Sequence, residues 1–190
     1  MSAPPLISAG MLRYNRTLHA AGDFGGSGWK RAEDALEFAL ALKAGSVLDY
    51  GSGEGTLRMR LGRGHKKRQI EGLCWAGKVY EYDPAVPRKE TARRADLVVC
   101  TDVLEHVEPK MLFNVLAHIR SLASRGIYLN IATRKSNKTL PDGRNAHLII
   151  KSLKWWVRTV RKSGMRVANV VETRRKNDHG PHSVTIKVRI

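Results

Sequence analysis

The ten residues Val47-Leu48-Asp49-Tyr50-Gly51-Ser52-Gly53-Glu54-Gly55-Thr56 decide how this chain folds. They run as an apolar strand into an acidic residue and then into a loop with glycine at every second position. Glycine is needed where the backbone turns sharply and a ligand must approach with no Cβ in the way. The carboxyl end of a first parallel strand is where nucleotide-like ligands sit in open α/β sheets. The dinucleotide fingerprint G-x-G-x-x-G would place its third glycine one residue later and offer a helix N-terminus to a pyrophosphate. Here the third glycine comes early, and Asp49 stands two places before the first. That suits a cationic amino-acid group better than an anionic pyrophosphate.

The same grammar continues downstream. Gly77-Lys-Val-Tyr-Glu-Tyr-Asp83 forms a second strand ending in a carboxylate, which can accept from both hydroxyls of a ribose. A third apolar strand begins at Ala95 and leads into Asp102-Val103-Leu104-Glu105-His106-Val107. Residues 84 to 95 are too few and too polar for a normal helix plus strand, so the third-strand region is shortened.

Taken together, these motifs resemble class I S-adenosylmethionine-dependent methyltransferases: the glycine loop resembles their first motif, and D-V-L-E-H-V resembles the strand-four segment of the ubiquinone-biosynthesis type. The lead-in from Tyr14 to Gly26 is similar to that of small methyltransferases of tailed phages. The resemblance implies a single Rossmann-like α/β domain, doubly wound, with a mostly parallel sheet and an antiparallel last strand. Residues 1–44 would form a lead-in and helix, 45–131 the cofactor half, and 132–190 a basic substrate-side half. It also implies S-adenosylmethionine as cofactor. Gly51, Gly53 and Gly55 would pass its methionine part, Asp49 would position the amino group, and Asp83 would hold the ribose. Tyr82 and Pro84 would flank the adenine, with Asp102 beside the methyl group and Tyr50, Ser52 and Thr101 completing the set. The alternative is a noncatalytic protein that keeps the cofactor pocket while its basic half grips nucleic acid.

Outside the motifs, residues 31–43 place apolar residues at helical spacing before Gly45, the expected C-cap. The cluster Gly62 to Arg68 predicts a short first crossover helix. Pro109 to Ala123 predicts an amphipathic helix, and Gly126 to Ile131 a further strand. A polar loop follows, with a turn at Pro141-Asp142-Gly143. Lys151 to Ser163 reads as a helix, with at least one of Trp155 and Trp156 in the core. Arg166 to Thr173 and Ser183 to Arg189 read as a final antiparallel pair.

Charge is distributed unevenly. Residues 1–110 hold 17 Lys+Arg against 14 Asp+Glu, whereas residues 111–190 hold 17 against 3. A polyanionic substrate or partner, nucleic acid foremost, is the corresponding expectation. The chain has no apolar run of about 18 residues, and its first residues lack a secretory pattern, so a cytoplasmic, soluble protein is expected. Cys74 and Cys100 form no C-x-x-C pair and are expected to stay reduced.

Two carboxylates and an imidazole, Asp102, Glu105 and His106, would share one face of a helical turn. They resemble the carboxylate-x-x-Glu-His metal motif of small-RNA 3′-end 2′-O-methyltransferases and ubiquinone-biosynthesis O-methyltransferases. His147 falls where the RNA enzymes have a further histidine. Asp102, Glu105, His106 and His147 are therefore a candidate site for Mg²⁺ or Zn²⁺, and Asp102 and His147 the candidate catalytic pair. In the other reading, Glu105 and His106 serve only the turn after the strand. There is no N/D-P-P-Y/F element and no Pro-Cys nucleophile, which disfavours ordinary DNA base methylation.

Overall fold

The computed structural model describes residues 4–20, 22, 26–61, 75–174 and 181–190. Six strands, β1 (Ser46–Tyr50), β2 (Lys78–Tyr82), β3 (Ala95–Thr101), β4 (Ala123–Ala132), β5 (Val167–Arg174) and β6 (Pro181–Arg189), form one sheet in the order β2-β1-β3-β4-β6-β5. The first four are parallel, and β6 runs antiparallel to both β4 and β5. This is the expected doubly wound sheet with its reversed last strand. Residues 83–94 contain only turns and bends, so the shortened third-strand region leaves β2 at the sheet edge.

Among the described residues five α-helices accompany the sheet: α1 (Ala9–Ala20), α2 (Gly28–Ala41), α3 (Thr56–Leu61), α4 (Leu112–Leu122) and α5 (Leu153–Lys162). Successive strand residues point to opposite faces, and β3 shows the consequence. Leu97 and Val99 pack with Ala32, Leu36 and Ala39 of α2, whereas Val98 and Cys100 pack with Leu116 and Ile119 of α4 and Trp156 and Val160 of α5. Trp156 is fully buried and Trp155 partly so, as anticipated for the pair. Cys100 is buried and free; Cys74 and the Gly62–Arg68 cluster lie outside the described residues. Among the described residues no helix is long and apolar enough to cross a membrane.

One local expectation is corrected. The residue in the left-handed region after α2 is Lys43 (φ 52°), and Gly45 is not the cap: its N–H donates to Asp96 Oδ2 at 2.8 Å. The N-terminal lead-in also contains a helix that was not anticipated, α1, which has no buried residue.

Candidate active site

A cavity of about 460 Å³ opens at the carboxyl ends of the parallel strands. Of the residues expected to hold a cofactor, Tyr50, Gly51, Tyr82, Asp83, Pro84, Thr101 and Asp102 line it. Asp49, Ser52, Gly53 and Gly55 do not; they form the scaffold behind that wall. The Gly51 and Ser52 N–H groups donate to the Tyr82 carbonyl at 2.7 and 3.1 Å, pinning the loop to the end of β2. Gly51 has φ 76°, and a Cβ there would come within 2.4 Å of Val103 Cγ2. At Gly55 a Cβ would meet Glu81 Oε1 at 2.2 Å, so that glycine makes room for the β2 side chain.

Glu81 in turn pairs with Lys89 at 2.8 Å and Arg58 at 2.9 Å, and Lys89 Nζ also donates to the Gly53 carbonyl at 2.8 Å. Asp49 is buried against this group. Burial pushes its carboxyl up to about 8, with Glu81 and Asp83 adding to the shift and Lys89 opposing it. That shift favours the uncharged form of the carboxyl behind the loop.

Asp83 is held by two backbone donors: Gly53 N–H reaches Oδ2 at 3.0 Å, and Ala85 N–H reaches Oδ1 at 2.9 Å. Each oxygen keeps one lone pair for a ligand hydroxyl. His19 Nε2 of α1 lies 3.7 Å from Oδ2. Beside it Tyr50, Tyr82 and His118 form an aromatic cluster with ring centroids 4.9 to 5.6 Å apart, and Tyr50 Oη hydrogen-bonds His118 Nδ1 at 2.9 Å.

At the other end of the cavity the expected helical turn through Asp102 is not formed. Leu104–His106 is a single 3₁₀ turn, and Asp102 precedes it in the left-handed region with φ 53°. That conformation, sparsely populated outside glycine, asparagine and aspartate, leaves Asp102 on the cavity wall and outside the cluster that does form. Glu105, His106 and His147 place ligand atoms within 4.8 Å of one another, and the two imidazole centroids are 4.7 Å apart. Each imidazole donates its Nδ1 hydrogen to a backbone carbonyl, His106 to Ala146 at 2.9 Å and His147 to Arg134 at 2.6 Å. Since a carbonyl can only accept, a neutral ring at either position carries its lone pair on Nε2, the tautomer of a metal-binding histidine.

Glu105 is fully buried; Oε1 accepts from Ala132 N–H at 2.7 Å, and Oε2 has no partner. Burial, then the nearby Asp102 charge, raises the Glu105 pKa. Burial also raises that of Asp102, against the opposing charges of Arg31, His147, Lys30 and Arg134. His106 is lowered to about 4, by burial first and by His147 second. A buried carboxylate oxygen without a donor beside two imidazoles presenting Nε2 is a donor set that fits a divalent cation.

The rest of this end was not foreseen. Arg134, Ser136, Asn137 and Lys138, from the loop after β4, line the cavity. Asn145 organises that loop: its Oδ1 accepts from Ser136 and His147 N–H groups, each at 3.0 Å, and its Nδ2 donates to the Ser136 carbonyl at 2.8 Å. The spacing Asn145-Ala146-His147 was visible, but the bonds are made to a residue whose position only the folded loop defines. Met11, Asn15 and His19 of α1 close the cavity from above. Tyr14 Oη donates to the Thr139 carbonyl at 3.1 Å, joining helix and loop.

A family model described as a methyltransferase domain matches residues 27–172. No curated protein matches the sequence significantly. Among solved structures, 1,6-didemethyltoxoflavin-N1-methyltransferase of Burkholderia thailandensis, bound to 1,6-didemethyltoxoflavin and S-adenosylhomocysteine, superposes with a TM-score of 0.65 at 16% identity, over 100% of this chain and 92% of that one. Magnesium protoporphyrin IX methyltransferase of Synechocystis PCC 6803, with bound S-adenosylhomocysteine, gives 0.56 at 18% identity, over 85% and 82%. An S-adenosylmethionine-dependent methyltransferase of Clostridium acetobutylicum ATCC 824 gives 0.56 at 11% identity, over 94% and 99%. At these identities the likeness is one of fold. The span of the family match, reaching from the start of α2 into β5, decides the assignment: this chain belongs to the methyltransferase domain family.

Proposed function

We propose that the chain binds S-adenosylmethionine in this cavity and transfers its methyl group to the oxygen of a hydroxyl acceptor. The observation that carries the reading is Asp83, a buried carboxylate on the cavity wall at the end of β2, fixed by two backbone donors and still able to accept from ribose hydroxyls. Tyr82 and Pro84 would flank the adenine, the Gly51 backbone would pass the methionine part, and Asp102 and Thr101 would lie at the methyl end. Methyl transfer from a sulfonium is an in-line displacement: the acceptor oxygen forms the new bond as the carbon–sulfur bond breaks, and S-adenosylhomocysteine leaves neutral. Positioning supplies much of the rate. A hydroxyl must also lose its proton, and His147, on the wall with Nε2 as its acceptor nitrogen, is the candidate base. Glu105, His106 and His147 would hold a divalent cation, which when bound polarises an acceptor hydroxyl. In that arrangement His147 would be a ligand, and Asp102 would be the remaining group near the acceptor.

Calorimetry tests the cofactor reading. S-adenosylmethionine is expected to bind the unmodified chain, and Asp83→Ala to weaken it by about 2 to 3 kcal/mol, the scale of charge-assisted bonds to two hydroxyls. Unchanged affinity, or binding of NAD in its place, would overturn the assignment. A labelled-methyl screen over phenols, nucleic acids and amines then tests the acceptor: transfer to amines alone would exclude the hydroxyl reading.

A further inference from the structure

Six cations of the C-terminal half lie on or beside one helix. From Asp142 to Glu172 the intervening sequence holds no acidic residue, while Lys151, Lys154, Arg158, Arg161, Lys162 and Arg166 are all exposed. None of these six cations makes an ion pair or side-chain hydrogen bond among the described residues, in contrast to Arg58, Lys89, Arg125 and Lys187, each of which meets a carboxylate. Four lie on α5, where spacings of three to four residues stack them along one side; at 1.5 Å per residue Lys154 to Lys162 covers about 12 Å. Lys154, Arg158, Arg161 and Lys162 border a second, shallower depression of about 520 Å³ together with Leu153 and Val157.

We propose that this outward face of α5 is a docking surface for single-stranded nucleic acid, with the cations on the phosphates and Leu153 and Val157 against sugars or unstacked bases. A row of unpaired cations is the electrostatic part of a groove that tracks a single strand, and Leu153 and Val157, half-buried against the core, expose an aliphatic edge beside it. A duplex presents its phosphates without free base faces and would leave the two aliphatic side chains unused. A membrane surface fits less well. A basic amphipathic helix enters a bilayer by its apolar side, and here that side is spent: Trp156 and Val160 are completely buried in the core. The proposal rests on α5 alone and holds whatever the methyl acceptor is.

Fluorescence anisotropy with a labelled oligouridylate of about 16 nucleotides tests it on the full chain. Binding is expected to weaken steeply with salt. Lys154→Ala, Arg158→Ala, Arg161→Ala and Lys162→Ala combined should lower affinity at least about tenfold and flatten the log–log salt slope by about 3. A control with the same loss of charge elsewhere, Arg13→Ala, Arg16→Ala, Arg94→Ala and Lys110→Ala, should stay within about twofold of the parent. Equal loss in both variants would reduce the effect to net charge and overturn the proposal. So would tighter binding to a duplex or to phosphatidylserine vesicles than to the oligouridylate. Hydroxyl-radical footprinting of the unmodified chain gives a readout independent of any variant: the oligonucleotide should protect Leu153 and Val157, and their unchanged reactivity would equally defeat it.

Discussion

The two ends of the cavity are built in different ways. At the Asp83 end, backbone N–H groups fix both carboxylate oxygens of Asp83, and the loop from Gly51 to Gly55 is tied down by the Tyr82 carbonyl and by Lys89. At the Asp102 end, side chains from a long loop converge on a 3₁₀ turn, and one asparagine holds that loop in shape. The first construction suits a ligand that is always the same; the second can change its acceptor by changing a loop, with the sheet left alone. The difference predicts that substitutions at one end alter cofactor affinity and those at the other alter turnover.

The largest expected effect belongs to His106→Ala. Removing one of two imidazoles that present Nε2 should lower turnover by about 10- to 100-fold while S-adenosylmethionine affinity, measured by calorimetry, is unchanged. Chelation of the unmodified protein should do the same, reversed by one added divalent ion. If the variant instead loses cofactor affinity, the two ends are not separable.

Gly51→Ala should act at the opposite end. The left-handed backbone and the contact with Val103 together make about 1 to 3 kcal/mol of destabilisation reasonable. Denaturant unfolding with and without S-adenosylmethionine would register both the lost stability and a weaker ligand response.

Asn145→Ala is the matching probe of the loop. It deletes three hydrogen bonds with Ser136 and His147, a cost of about 1 to 3 kcal/mol that falls on local order more than on the global fold. The acceptor KM should rise with cofactor affinity intact. A fall in melting temperature without any change in KM would show that the loop is a structural brace only.

The last probe, Asp49→Asn, is read as a pH dependence. A carboxyl raised from 3.8 to about 8 stays protonated in the folded protein after the unfolded chain has released its proton. Its contribution to stability is therefore full below 3.8 and is lost as the pH rises toward 8. Relative to Asp49→Asn, the parent should lose melting temperature steadily from roughly pH 5 to pH 8. Parallel pH profiles would mean that Asp49 is ionised behind the loop and available to steer an ammonium after all.

The same division explains what the sequence could disclose. β1 was legible because an apolar run that ends in a glycine loop reads as a strand. β2, β3 and the missing strand between them followed from run lengths alone. Strand-end positions such as Asp83 and Thr101 inherit their placement from the strands. Arg134, Lys138 and Asn145 inherit nothing comparable, since their positions depend on hydrogen bonds closed across the loop. Asp102 was placed on a helical face because D-V-L-E-H has helical spacing; its left-handed backbone, set where Asp102 N–H meets the Asn130 carbonyl at 2.9 Å, broke that phase. Gly55 fitted the ligand-facing pattern, yet what it accommodates is Glu81, a residue that lies outside the motif.

The absence of any buried residue in α1 has a kinetic side. A helix attached through polar contacts to Asp83 and Thr139, with no share in either apolar core, can detach at a fraction of the free energy of global unfolding. Detachments of this kind occur within microseconds to milliseconds, whereas the sheet persists far longer. Access to the cavity that α1 lines can therefore open without disturbing either apolar core.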